Sequence, residues 1–246
     1  MAHSSPILND DFEVISSPSE NHFSYIKNWL SEEYKATRNG FYCNIEIIKD
    51  SFAKNTVLVL SYEGKGIGFV TWQESFEFSA TIQILEIHPK FRRKKLGTML
   101  LQKLLEFFPE KGIYAVSLNC ISKVSISFCK NLGFIKIPSV IEPENDQEES
   151  SKMYKVLIEH APILTNESSS NSEILEMTKD DVVYKWEIQF EPKSRKLKLP
   201  IIYPTNRYCN LVWKKENRII QSENIQYFKP DVYFYTFAII LELPLL

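Results

Sequence analysis

Hydrophobic and polar positions along the chain change period several times, and each change marks an element. Residues 82–88 are an apolar run that stops at Pro89; a basic cluster and Gly97 follow, and Leu96, Met99, Leu100, Leu104 and Phe107 then recur at three- and four-residue intervals. That order predicts a strand, a tight cationic turn and a helix with one face packed on a sheet. Upstream, Phe23, Ile26, Trp29 and Leu30 predict a helix that starts near Ser19 and ends before Gly40, and Ile45, Ile48 and Phe52 a second one capped by Asn44. A short strand is expected over residues 12–15. Runs 56–61 and 67–72 are β-rich and joined by Tyr62-Glu63-Gly64-Lys65-Gly66, a hairpin signal, and a third strand spans 80–87. Residues 116–134 repeat the strand and helix order, with Val124, Phe128 and Leu132 as the apolar stripe and Gly133 placed for the left-handed residue after a helix end.

The cationic turn is where the pattern first suggests chemistry. The first N–H groups of a helix lack intrahelical partners and sit at the positive end of its dipole, so main chain alone favours an anion there. Arg92, Arg93, Lys94 and Lys95 add four side-chain cations, and Gly97 leaves out a Cβ where a ligand would come closest. A basic run of this kind also fits a nucleic-acid or localisation patch, but the strand before it and the apolar stripe after it favour a phosphate loop.

Composition narrows the classes. The chain has 246 residues, enough for one or two domains, and its formal net charge of −2 gives no pull toward nucleic acid or an anionic membrane. Cys43, Cys120, Cys129 and Cys209 show no C-x-x-C spacing, so reduced thiols in a cytoplasm are the simplest expectation, with no metal site. No secretory signal pattern opens the chain, and the longest apolar run, 232–241, is too short for a membrane span.

The stretch HPKFRRKKLGTMLL resembles the acetyl-CoA-binding motif of the GNAT N-acetyltransferases, in which a strand and a proline lead into R-x-x-G-x-G or A at a helix start. Arg92 and Gly97 match the first and last motif positions, and Lys95 stands where the first glycine is usual. VSLNCISKVSISFCKNLGF, residues 116–134, is similar to the family's later strand, helix and G-F segment. The resemblance covers residues 10–159 and implies a closing strand pair, which residues 135–140 and 153–158 fit on either side of the acidic loop 142–149. It implies an α/β (α+β) GNAT fold, a mixed, mostly antiparallel sheet flanked by helices, and acetyl-CoA as cosubstrate. Residues Arg92, Arg93, Lys94, Lys95, Leu96, Gly97 and Thr98 would hold its pyrophosphate, Leu85 and Ile87 the pantetheine arm where two strands splay apart, and Ser122 and Ser125 would complete the set.

For catalysis the resemblance implies direct attack of a neutral primary amine on the thioester, assisted by a base and by an acid for the leaving thiolate. Family members often carry a glutamate and a tyrosine where this chain has Ser117 and Cys129, and an asparagine where it has Ser122. Glu86 is then the first candidate base and His88, on the same side of the strand by period two, the second. Cys129 has two readings, general acid or a small buried core residue. Tyr34, Phe41 and Tyr42 similarly read as acceptor contacts or as packing.

Residues 160–172, with Ser168, Ser169 and Ser170, read as a linker. Beyond them, 173–246 show β-rich runs at 182–190, 196–203, 208–213 and 227–243, punctuated by Pro192, Pro200, Pro204 and Pro230, which predicts a small mainly-β domain after the GNAT domain of residues 1–159. Its aromatics, among them Trp186, Tyr203, Tyr208, Trp213, Tyr227, Phe228, Tyr233 and Tyr235, fit a core or a recognition face. An edge strand there would support a homodimer. Two functions follow: an N-acetyltransferase whose amine substrate is a small molecule or a protein, or a catalytically silent acyl-CoA-binding module whose β domain engages a protein partner.

Overall fold

The computed structural model describes residues 12–75, 78–136, 150–164, 173–179, 182–205, 210–225, 227–233 and 237–243. These form two compact units, one of residues 12–75, 79–136 and 150–157, the other of Phe78 and the described residues from 158 onward. The first contains β1 (Phe12–Ile15), α1 (Glu20–Thr37), α2 (Ile45–Ala53), β2 (Val57–Tyr62), β3 (Lys65–Glu74), β4 (Ser79–Ile87), α3 (Leu96–Glu110), β5 (Ala115–Cys120), α4 (Lys123–Asn131), β6 (Ile135–Lys136) and β7 (Ser151–Val156). Its seven strands lie in the order β1-β2-β3-β4-β5-β7-β6. Every neighbouring pair is antiparallel except β4 and β5, which run parallel.

Period-two alternation sends the strand side chains to two helical layers. Val57, Val59, Phe69 and Ile84 pack with Phe23, Ile26, Trp29, Leu30 and Ile48 of α1 and α2. Leu58, Leu60, Val70, Trp72 and Ile82 pack on the other face with Leu96, Leu100, Leu101, Leu104 and Phe108 of α3. The expected α1 stripe is buried at all four positions. In α3 the buried line runs through Leu101 and Phe108, with Met99 and Phe107 half-buried at its margin. In α4 the expected stripe is rotated: Cys129 is buried, Phe128 and Leu132 are half-buried, and Val124 is 76% exposed. Asn44 stands at the start of α2 without a side-chain cap, because the 3-10 turn Tyr42–Asn44 leads straight into the helix. Gly133, at φ +81 behind α4, takes the left-handed turn expected of it. The expected strand 135–140 is described only as β6, and the acidic loop 142–149 lies outside the described residues.

The register of β4 slips at one residue. Trp72 faces Ile82 and Thr71 faces Ile84, so Gln83 is an extra residue, a β-bulge. Before it, Ala80 and Ile82 face α3; after it Leu85 and Ile87 do, and Ile84 faces α1 and α2. Pairing of β4 with β5 runs from Ser79 and Ala115 to Ile82 and Leu118 and stops there. The bulge thus bends β4 away from its parallel neighbour at the point where their ladder ends.

The second unit holds β8 (Glu173–Lys179), β9 (Val182–Glu187), β10 (Lys196–Pro204), β11 (Asn210–Lys215), β12 (Arg218–Asn224), β13 (Val232–Tyr233) and β14 (Phe237–Glu242). They make a four-stranded sheet, β12-β11-β8-β9, and a three-stranded one, β10-β14-β13. Trp186, Trp213, Tyr203, Leu175, Ile201 and Ile240, drawn from both sheets, share one core. Most of the aromatics are therefore packing residues, whereas Tyr227 and Tyr233 are exposed and Tyr208 and Tyr235 lie outside the described residues. Strands β8 and β12 were not apparent from the pattern. In β12 both faces are largely open, and pairing with β11 defines it, through a turn in which Glu216 and Asn217 both have positive φ. The stretch expected to be a free linker begins as part of this unit: Ala161 is buried in its core and donates its N–H to Pro200 O at 2.9 Å.

Gly68, opposite Ile87, has no room for a larger residue: a Cβ there would lie 2.5 Å from Ile87 Cδ1 and 3.2 Å from Glu86 O. Gly68→Ala is expected to lower stability in urea by about 1–3 kcal/mol. At Gly97, where a Cβ meets only Ile87 Cγ1 at 3.7 Å, alanine is expected to raise stability by about 0.5–1 kcal/mol, the helix-propensity difference.

Candidate active site

The turn after β4 is built from local geometry. Pro89–Phe91 form a 3-10 turn capped by His88, whose Nδ1 accepts from Lys90 N at 3.1 Å. Arg93 and Lys95 then take φ of +66° and +61° before α3 begins at Leu96. Lys95 thus occupies the left-handed region that a glycine would enter without strain, a conformation costing a residue with a Cβ about 1–2 kcal/mol. The helix ladder opens with Met99 N donating to Lys95 O at 3.0 Å, so the N–H groups of Leu96, Gly97 and Thr98 have no intrahelical acceptor. The Leu96 side chain belongs to the core, leaving its main chain for a ligand. Arg93, Lys94 and Lys95 are exposed and form no ion pair among the described residues; Lys94 Nζ lies 5.4 Å from the centre of the Phe91 ring.

Beside this turn lies the gap between β4 and β5. His88 N donates to Ile67 O at 2.8 Å, so by antiparallel alternation the pairs Glu86 with Phe69 and Ile84 with Thr71 carry the β3 hydrogen bonds. The main-chain groups of Leu85 and Ile87 point the other way, into the gap. At Ile87 both are already engaged: its N–H donates to Glu86 Oε1 at 3.0 Å and its carbonyl accepts from Arg92 Nε at 2.8 Å. Among the described residues no partner meets the main-chain N–H and carbonyl of Leu85.

Arg92 is folded back onto the end of β4. Its Nη2 lies 2.7 Å from Glu33 Oε1 and 3.0 Å from Glu86 Oε1. Burial pushes the Glu86 carboxyl above the usual carboxylate range; Arg92 and the Ile87 N–H act against that, and Glu33 adds to it. Glu33 was not singled out by sequence, since a glutamate on an amphipathic helix gives no signal of its own. The loop behind it is fitted to its carboxylate: Gly40, at φ +91, would place a Cβ 3.4 Å from Glu33 Oε2. Burial lowers the pKa of His88, whose Nδ1 already accepts a hydrogen bond and whose ring packs 5.3 Å from Trp29.

The remaining candidates lie around α4. Cys129 Sγ is buried 3.5 Å from Cys120 Sγ, and burial together with that neighbour pushes its thiol up to about 12. Ser122 caps α4 by accepting from Ser125 N at 3.1 Å, and Ser125 Oγ donates to Ser122 O at 2.8 Å. Ser117 is buried 3.1 Å from the Thr81 hydroxyl across the parallel pair. Phe41 and Tyr42 pack against the α1 and α2 core, and Tyr34 lies 5.9 Å from Tyr42.

The chain is similar to several known proteins. A curated N-acetyltransferase of Pyropia yezoensis, ycf52, itself uncharacterised, is 30% identical over 95 residues, 36% of this chain and 54% of that protein, so the match spans about half of the relative's length. Among solved structures, Ard1 of Thermoplasma volcanium aligns at 19% identity with a TM-score of 0.47, over 61% of this chain and 99% of that one. The PaiA N-acetyltransferase of Thermoplasma acidophilum, solved with coenzyme A, aligns at 19% identity and a TM-score of 0.44, over 59% and 98%. Residues 19–134 match the model of the acetyltransferase (GNAT) family. That span, just under half of the chain, runs from the cap of α1 past the end of the β4 and β5 ladder to Phe134, and over it the chain matches the GNAT acetyltransferase family.

Proposed function

We propose that this protein is an acetyl-CoA-dependent N-acetyltransferase that acetylates a primary amine by direct transfer. One observation carries the reading: the β4 and β5 ladder ends at Ile82 and Leu118, and the open edge beyond it runs into a helix start with free N–H groups and three exposed cations. Main-chain donors at Leu96, Gly97 and Thr98, with Arg93, Lys94 and Lys95, fit a pyrophosphate. The open N–H and carbonyl of Leu85 fit one amide of a pantetheine arm. Acetyl-CoA supplies the activated acyl group as a thioester. Glu86, ionised, accepts the proton that the attacking amine must lose, directly or through water. Cys129, with its sulfur in the core and its proton tightly held, is left out of the chemical step, and the proton for the departing thiolate comes from solvent. The free Cys43, Cys120 and Cys129 support a cytoplasmic setting.

Calorimetric titration with acetyl-CoA tests the reading: micromolar binding is expected for the wild type and a loss of about tenfold or more for Arg93→Ala/Lys94→Ala/Lys95→Ala. No binding by the wild type would remove the proposal; binding without acetylation of any amine would favour the silent acyl-CoA-binding module.

Lys95→Gly separates strain from charge. It is expected to gain about 0.5–1 kcal/mol of stability, the relief of left-handed strain less the added freedom of the unfolded chain, while acetyl-CoA affinity at low salt falls.

Glu86 works only when ionised, so activity is expected above its raised pKa and is lost as pH falls through it. Profiles of kcat/KM between about pH 5 and 9 should show that acidic limb, and Glu86→Gln should lower kcat by about 10²-fold or more and abolish the limb.

A further inference from the structure

We infer that Arg92 is a positioning residue, which holds Glu86 and the α1 helix at the end of β4 and takes no part in gripping the cofactor phosphate. The motif position alone would give it to the phosphate. The structure gives it four other contacts: Ile87 O at 2.8 Å from Nε, and from Nη2 the Glu33 Oε1 at 2.7 Å, Glu33 Oε2 at 3.0 Å and Glu86 Oε1 at 3.0 Å.

The charge arrangement supports this assignment. Glu33 and Glu86 converge on one guanidinium, and their side chains are only 9% and 16% exposed. Arg92 itself is 39% exposed, but two carboxylates and a main-chain carbonyl already engage its guanidinium, so a phosphate would have to compete with them. Drawing Arg92 away would leave those two partly buried anions facing each other without a cation, the most costly outcome for a buried ion pair. Arg93, Lys94 and Lys95, exposed and in no ion pair among the described residues, carry no such penalty.

The same contacts fix the direction of the Glu86 carboxylate. One oxygen, Oε1, receives both the Ile87 N–H and Arg92 Nη2. That leaves Oε2 as the atom to accept a proton. Glu33 meanwhile ties α1 to the exit of β4, so the acceptor side of the site is anchored through Arg92. The charged and titratable groups around this centre are Glu33 and Glu32 of α1, His88 at the end of β4, and Arg92 with Lys90 of the turn.

The inference takes its catalytic meaning from the proposed acetyl transfer, but its test reads the protein without substrate. The Glu86 carboxylate is titrated by carbon-13 NMR in the full chain, assigned by its absence in Glu86→Gln, and acetyl-CoA is titrated by calorimetry. In Arg92→Gln the Glu86 midpoint should rise by about 1 pH unit, tenfold in proton affinity, because a cation that favours the ionised form is gone. Its acetyl-CoA Kd should stay within about threefold of wild type, and the acidic limb of kcat/KM should move up with the midpoint. Glu33→Gln, which removes a like charge, should lower the midpoint and likewise spare acetyl-CoA binding; it carries the test if Arg92→Gln does not fold. A midpoint unmoved in both variants overturns the inference. So does a loss of acetyl-CoA affinity in Arg92→Gln as large as in the Arg93, Lys94 and Lys95 triple variant. Failure of the wild type to bind acetyl-CoA would count against the proposed function alone, because the Glu86 midpoint is read without it.

Discussion

The bulge at Gln83 is the constraint on which the first unit's organisation depends. A strand held by neighbours on both sides has no main-chain groups to offer. One extra residue, set where the parallel ladder with β5 ends, bends β4 away and leaves the Leu85 edge open. It also reverses the parity of the strand. Leu85 and Ile87 thereby stay in the α3 core, while Glu86 turns toward the side of the sheet that carries α1. Without the bulge an ionisable side chain would fall on the face where Leu100 and Leu104 pack.

That parity change explains why two acidic residues meet. Glu33 comes from a helix and Glu86 from a strand, 53 residues apart in sequence, and neither is well placed to be buried alone. Arg92 can serve both because the 3-10 turn at Pro89 returns the chain to the end of β4 within a few residues. The cluster balances burial, which raises the Glu86 pKa, against a guanidinium and a main-chain N–H, which lower it. The proposed role of Glu86 as base draws on that opposition.

The second unit follows different rules. Its two sheets enclose Trp186, Tyr203 and Trp213 in one core, and the edge strand β12 is defined by pairing with β11 with no buried residue of its own. Asp231 accepts from the N–H groups of Leu241 at 2.6 Å and Glu242 at 3.3 Å, a side chain standing in for the strand that β14 lacks at that point. The aromatic residues there act first as core.

By itself the sequence determined which segments form elements in the first unit, their order, and the cationic helix start, because these depend on local period, turn residues and neighbouring charge. The α1 stripe and strands β1, β2 and β4 were legible to within a residue, and β3 extends two residues beyond the expected 67–72 at each end. The bulge left a trace as well, in the change from apolar even positions, Ala80 and Ile82, to odd ones, Leu85 and Ile87. Tertiary structure alone decided what those parts do to each other. It placed Cys129 against Cys120, exposed Val124, and turned Arg92 toward Glu33 and Glu86. Each of these depends on contacts across the fold, and a hydrophobic period points to a face without fixing what covers it or, as at Val124, whether anything does. β12 was missed for the same reason, since its partner more than its own side chains makes it a strand, whereas β8 does carry a buried face in Ile174, Leu175 and Met177.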